Sequence, residues 1–157
     1  MTSNKTVFFI IGTLLIILGL FMLVPYLVQI LYQENSHSFL SSSFITILIG
    51  ALFVLANLQK DYQLNLKQTF LFSTFAWLSI AIFGALPFML SEINFSVSDS
   101  FFESMSGITT TGSTVITNLD TSPKSILLWR AIMQWLVGVG IIVMAITVLP
   151  LLKVGGM

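Results

Sequence analysis

The chain has 157 residues, of which 56% are hydrophobic and 8% charged, and its mean hydropathy is +1.00. Soluble domains carry about 25% charged residues, so this composition excludes a free-standing water-soluble domain and points to an integral membrane protein. A formal net charge of zero gives no basis for a nucleic-acid partner, and the absence of cysteine removes disulfides and thiolate metal sites.

In chain order, the first apolar run is Val7–Tyr32. It exceeds the ~20 residues that cross a ~30 Å hydrocarbon core. Lys5 before it imitates a signal peptide. However, a signal core is only about 7–15 residues long, and no small-x-small site closes this run, so it is read as an uncleaved first span. Pro25 predicts a kink near its far end. Gly12 and Gly19, a heptad apart, mark either a face of close helix contact or the ordinary tolerance of membrane helices for glycine. A polar turn follows, containing His37. With no second histidine or carboxylate cluster beside it, His37 reads as a solvated loop residue rather than a ligand.

A second span runs from about Phe39 to Ala56, diluted by Ser41, Ser42, Ser43 and Thr46. Residues 57–67 form the one polar linker, and a third span, 69–90, carries Pro87 near its exit. Between it and a fourth span, 123–150, lies a stretch too polar and too broken to cross as a helix. Trp129 and Trp135 in the fourth span read as headgroup-level aromatics. With the amino terminus inside, Lys5, Lys60, Lys67 and Lys153 are cytoplasmic, and Lys124 and Arg130 are left outside. This arrangement obeys the positive-inside rule and makes the intervening stretch open outward. Glu34, Glu92, Asp99 and Asp120 then fall mostly on the outer side, raising local cation concentration.

Within that stretch, Ser100-Phe101-Phe102-Glu103 fits a capping box. It predicts a short helix over 99–107 that enters from outside and stops at Gly107 in the left-handed conformation. Such a half-helix turns the negative end of its dipole, about half an elementary charge, toward the membrane centre and favours a cation there. The chain returning outward is Thr109-Thr110-Thr111-Gly112-Ser113-Thr114. Irregular backbone at membrane depth is tolerated only where it lines a water-filled or protein-lined cavity. Carbonyls of an extended strip can there replace an ion's hydration shell. Neutral ligands favour a monovalent ion, since a calcium site needs several carboxylates. Residues 109–114 are accordingly expected to be one quarter of an ion filter.

The sequence at these positions resembles the Trk/Ktr/HKT superfamily of potassium transporters, in particular its bacterial TrkH/TrkG membrane subunits. The matching words are Ala85-Leu86-Pro87-Phe88, Phe101-Phe102-Glu103-Ser104 and the hexapeptide Thr109–Thr114. They continue with Leu128-Trp129-Arg130, Gln134-Trp135, Ile141–Leu149 with Pro150-Leu151-Leu152, and Val154-Gly155-Gly156-Met157. Order and spacing hold from about residue 70 onward. The resemblance implies four helix–pore loop–helix repeats around one pore, of which this chain carries the first, and relatives roughly three times as long. It implies two amino-terminal transmembrane helices with a cytoplasmic linker in 1–66 and the first repeat in 67–157. It further implies potassium coordination by Thr110, Thr111, Gly112 and Ser113, a homodimer, a cytoplasmic TrkA-like nucleotide-binding regulatory subunit, no cofactor beyond the transported ion, and a place in the bacterial inner membrane. Two further readings stand beside potassium uptake: a non-transporting remnant or assembly subunit, and a homotetrameric cation channel. No nucleophile–base pair or phosphate loop points to an enzyme.

Several residues admit two readings. Glu103 and Arg130 pair behind the strip, bracing it together with Thr109 and Thr114, or else Glu103 caps its helix and Arg130 snorkels to the interface. Gly138-Val139-Gly140 is a hinge or a packing face, and Gln134 lines a path or bonds a neighbouring helix. Asn94-Phe95-Ser96 has the form of a glycosylation sequon without meaning in a bacterial protein.

Overall fold

The computed structural model describes residues 4–34, 36–59, 65–93 and 95–151, with residues beyond Gly138 followed by their backbone. The middle of the polar linker, Asn94 of the sequon and the final words from Leu152 lie outside the described residues. The helices are α1 (Lys5–Phe21), α2 (Leu23–Leu31), α3 (Ser38–Ala56), α4 (Leu66–Met89), α5 (Val97–Ile108) and α6 (Lys124–Leu151), with one 3-10 turn, Leu119–Thr121, before α6. Among the described residues, three stretches are long and apolar enough to cross a membrane: Lys5–Leu31, Ser38–Ala56 and Lys67–Met89. At 28 residues, α6 is about 42 Å long.

The first span breaks at Met22, one turn before Pro25. Proline has no N–H for the Phe21 carbonyl, and its ring crowds that same group. Pro87, by contrast, neither ends nor immediately follows the end of α4, which continues to Met89. Along α1, Val7, Ile11, Leu15 and Leu18, continued by Met22 at the break, form a buried stripe at helical spacing. The helix as a whole packs chiefly on α3.

The α1–α3 contact rests on absent side chains. A Cβ on Gly12 would lie 2.7 Å from the Gly50 carbonyl oxygen, and a Cβ on Gly50 would lie 2.7 Å from that of Gly12. Gly19 is equally close to Ile47. The glycines are therefore a true close-contact face, as small residues are in membrane helix pairs. Three of the four hydroxyls that dilute α3 are buried and satisfied: Ser43 donates to the Gly19 carbonyl at 2.7 Å, and Ser42 and Thr46 donate to carbonyls one turn back, whereas Ser41 is exposed.

One end of the molecule brings Gln59, beyond α3, onto Thr6 at the start of α1. At the opposite end, α2 closes with Gln33 left-handed at φ 52°. There the Glu34 N–H returns to the Gln29 carbonyl and the Gln33 N–H to that of Ile30, the two bonds of a Schellman motif. This turn delivers Glu34 to α6, where its carboxylate accepts from the Ser125 N–H and hydroxyl. An anion at a helix amino terminus satisfies orphan donors and meets the positive end of the dipole. His37, on the same turn, is exposed.

Candidate functional site

Between α4 and α6 the chain dips and returns. The descending arm is α5, 12 residues or about 18 Å long, roughly half a bilayer core. Its last residue, Ile108, is buried and shares an apolar cavity with Leu14 and Ile17 of α1 and Ile80 of α4. The tip of α5 thus stops level with the middle of two long helices.

The start of α5 differs from the capping box expected at Ser100. Ser96 is the cap: its hydroxyl accepts from the Asp99 N–H at 3.1 Å and donates to the Asp99 carboxylate at 2.6 Å. Ser96-x-x-Asp99 is itself a capping pattern one turn upstream of Ser100-x-x-Glu103. The earlier cap wins, which frees Glu103 for another partner.

The end of α5 also differs. Gly107 is helical, and its missing Cβ makes room for Met133 of α6, whose Cε would lie 2.9 Å from it. The left-handed residue is Thr110, φ 55°. Thr111 N–H bonds the Ser106 carbonyl and Thr110 N–H that of Gly107, each at 3.1 Å. This is a Schellman ending with threonine where glycine is usual.

These bonds orient the return strip. Among the described residues no peptide bond is cis, so each carbonyl points opposite to the N–H of the same peptide unit. The Thr110, Thr111 and Gly112 N–H groups face back to α5, the last at 3.5 Å from the Ser106 carbonyl. The carbonyls of Thr109, Thr110 and Thr111 therefore point away from α5. Ser113 is reversed, because its carbonyl accepts from the Ser106 hydroxyl at 2.6 Å. Gly112 is left-handed at φ 78°, and nothing lies within 4 Å of where its Cβ would be. Residues 109–113 are exposed along one side, whereas Thr114 is half-buried.

Behind the strip sits Glu103, fully buried. One carboxylate oxygen pairs with Arg130 Nε, and the other accepts from the Thr114 hydroxyl at 3.1 Å and the Val115 N–H at 3.0 Å. Of the two readings open from sequence, the geometry places these residues together, with the Arg130 side chain only 13% exposed. The Thr109 hydroxyl bonds the Met105 carbonyl and lies 2.7 Å from that of Thr111.

Sequence reasoning missed three braces. The Ser104 hydroxyl donates to the Ala81 carbonyl at 2.7 Å, locking α5 to α4. Ser106 clasps the strip as described. Trp129 faces the protein rather than lipid: it is fully buried and donates to the Gly84 carbonyl at 3.0 Å. Trp135 is exposed. No atom of the described residues lies within 4 Å of where a Cβ on Gly138 would be.

Three membrane-length apolar helices, with a half-length helix and an extended return tucked between α4 and α6, define an all-α multi-pass membrane protein with a re-entrant unit. The family described as "TrkH: Cation transport protein" matches residues 35–157. The chain belongs to that family, one of transporters rather than enzymes, and is an inner-membrane protein. It is 39% identical to the Trk system potassium uptake protein TrkH of Vibrio parahaemolyticus over 98% of this chain and 32% of that protein. An uncharacterized cation transporter of Methanocaldococcus jannaschii is 43% identical over 89% of this chain and 29% of its own length. The crystal structure of the potassium transporter TrkH from Vibrio parahaemolyticus superposes with a TM-score of 0.89, at 39% identity, over 99% of this chain and 34% of that one. The chain thus spans about a third of the length of these relatives.

Proposed function

We propose that this chain supplies one quarter of the potassium-selective pore of a Trk-type uptake system, with Thr110, Thr111, Gly112 and Ser113 lining the ion path. The observation that carries the reading is the direction of the Thr109–Thr111 carbonyls, away from α5 and along the exposed side of the strip. Neutral oxygens in a row, with the negative end of the α5 dipole behind them, stabilise a monovalent cation that sheds its water. Glu103 and Arg130 hold the strip from behind as a neutral pair, so no net charge competes with the ion. With the amino terminus cytoplasmic, ions enter from the outside and move down the membrane potential, gaining about 2.3 kcal/mol per 100 mV. The family resemblance further supports a homodimer and a cytoplasmic TrkA-like nucleotide-binding regulatory subunit.

The test is growth of a potassium-uptake-deficient strain carrying the complete gene that encodes this segment, with and without Gly112→Ser. At φ 78° a side chain costs about 1–2 kcal/mol, enough to misalign the strip. At least a tenfold loss of uptake at limiting potassium is expected. Equal growth with either residue would overturn the assignment.

A further inference from the structure

We infer that Ser106 is a positioning residue that sets ion discrimination in the strip, an inference resting on the filter reading above. Among the described residues it grips the strip through both its backbone and its side chain. Its carbonyl receives the Thr111 N–H at 3.1 Å and the Gly112 N–H at 3.5 Å. Its hydroxyl, from the same residue, donates to the Ser113 carbonyl at 2.6 Å. Ser106 is 6% exposed and sits on the last turn of α5. That helix is itself pinned by the Ser104 bond to α4 and by Gly107 against Met133.

The two grips act in opposite senses. The carbonyl grip turns N–H groups backward and so pushes the Thr110 and Thr111 carbonyls toward the open side. The hydroxyl grip pulls the Ser113 carbonyl back. The strip therefore presents its oxygens over Thr109–Thr111 and withdraws one at Ser113. A carbonyl has two lone pairs, so the withdrawn oxygen can still meet an ion, but only at the distance the short hydroxyl bond allows. Ionic radius is what distinguishes potassium from sodium, and number and placement of carbonyls is what a filter measures it with. Removing the hydroxyl releases Ser113 without touching the backbone grip.

The experiment compares Ser106→Ala, Ser106→Cys and Ser106→Thr in the complete gene product. Initial uptake rates of potassium, rubidium and sodium are measured alongside membrane abundance. A hydrogen bond of this kind has a net worth of about 1 kcal/mol, so Ser106→Ala should lower the potassium-to-sodium uptake ratio about fivefold at unchanged abundance. Ser106→Thr, which keeps the donor, should restore the ratio, and Ser106→Cys, with a weak donor, should fall between. Should Ser106→Ala fail to accumulate, the order of the Cys and Thr variants carries the decision. Equal ratios across all accumulating variants would overturn the inference. Gly112→Ser is run in parallel: if it abolishes uptake while the Ser106 variants keep the ratio, the inference alone fails. If it leaves both uptake and ratio intact, the filter reading fails with it.

Discussion

Thr110 occupies a conformation that its side chain opposes. A β-branched residue at φ 55° is uncommon, and the left-handed region costs an L-residue roughly 1–2 kcal/mol. Glycine would fill the Schellman position with less strain, so the turn alone does not call for threonine. Strain of this kind clusters at functional sites, and here it falls within the proposed ion path. Thr110→Gly should hold or raise the thermal midpoint of the purified protein while lowering potassium uptake at limiting potassium. A fall in uptake that merely tracks membrane abundance would show that Thr110 serves the turn alone. The left-handed turn at Thr110 was not legible in the sequence. Gly107 drew the helix stop because glycine is the usual left-handed residue, and the competing demand for its missing Cβ, contact with Met133, is tertiary.

The half-length helix α5 is held on two flanks, by α4 through Ser104 and Gly84 and by α6 through Met133 and the Glu103–Arg130 pair. Breaking a buried ion pair by removing one partner costs about 3–5 kcal/mol, so Glu103→Gln and Arg130→Gln should each reduce membrane abundance and uptake. The exchange of Glu103→Arg with Arg130→Glu is more informative. It restores opposite charges, but an arginine cannot accept from the Thr114 hydroxyl and the Val115 N–H as Glu103 does. Abundance should recover in the exchange while uptake does not. Full recovery of uptake would show that Glu103 acts through charge alone.

At this scale the sequence was informative about existence and poor about detail. Long apolar runs fixed the spans, and polarity between them fixed the re-entrant segment. Two overlapping capping patterns lay one turn apart, and nothing local ranks Ser96 above Ser100. The aromatic pattern placed Trp129 at headgroup level but carried no sign of its partner, the Gly84 carbonyl that its buried N–H meets.

At the scale of the whole molecule, two contacts among the described residues join the amino-terminal helices to the re-entrant unit and α6. Phe39 meets Trp129 edge-on, with ring centroids 6.1 Å apart. Glu34 caps α6 across 91 residues of sequence. An anion at a helix amino terminus contributes up to about 2 kcal/mol in partly buried settings. Glu34→Ala should therefore lower the thermal midpoint of the purified protein by an amount corresponding to about 1–2 kcal/mol, with the spans still inserted. An unchanged midpoint would mean that apolar packing alone joins the two halves. No sequence pattern announces such a contact, since Glu34 and Ser125 become neighbours only through the fold.

The exposed side of residues 109–113 has one more consequence, for biogenesis. Each unsatisfied backbone group facing hydrocarbon costs several kcal/mol, so this strip cannot rest against lipid tails. It reaches membrane depth only as water or another protein surface comes to cover it. Insertion of the re-entrant segment and arrival of whatever shields it are thus a single event, and lipid acts as the inspector that delays one until the other occurs.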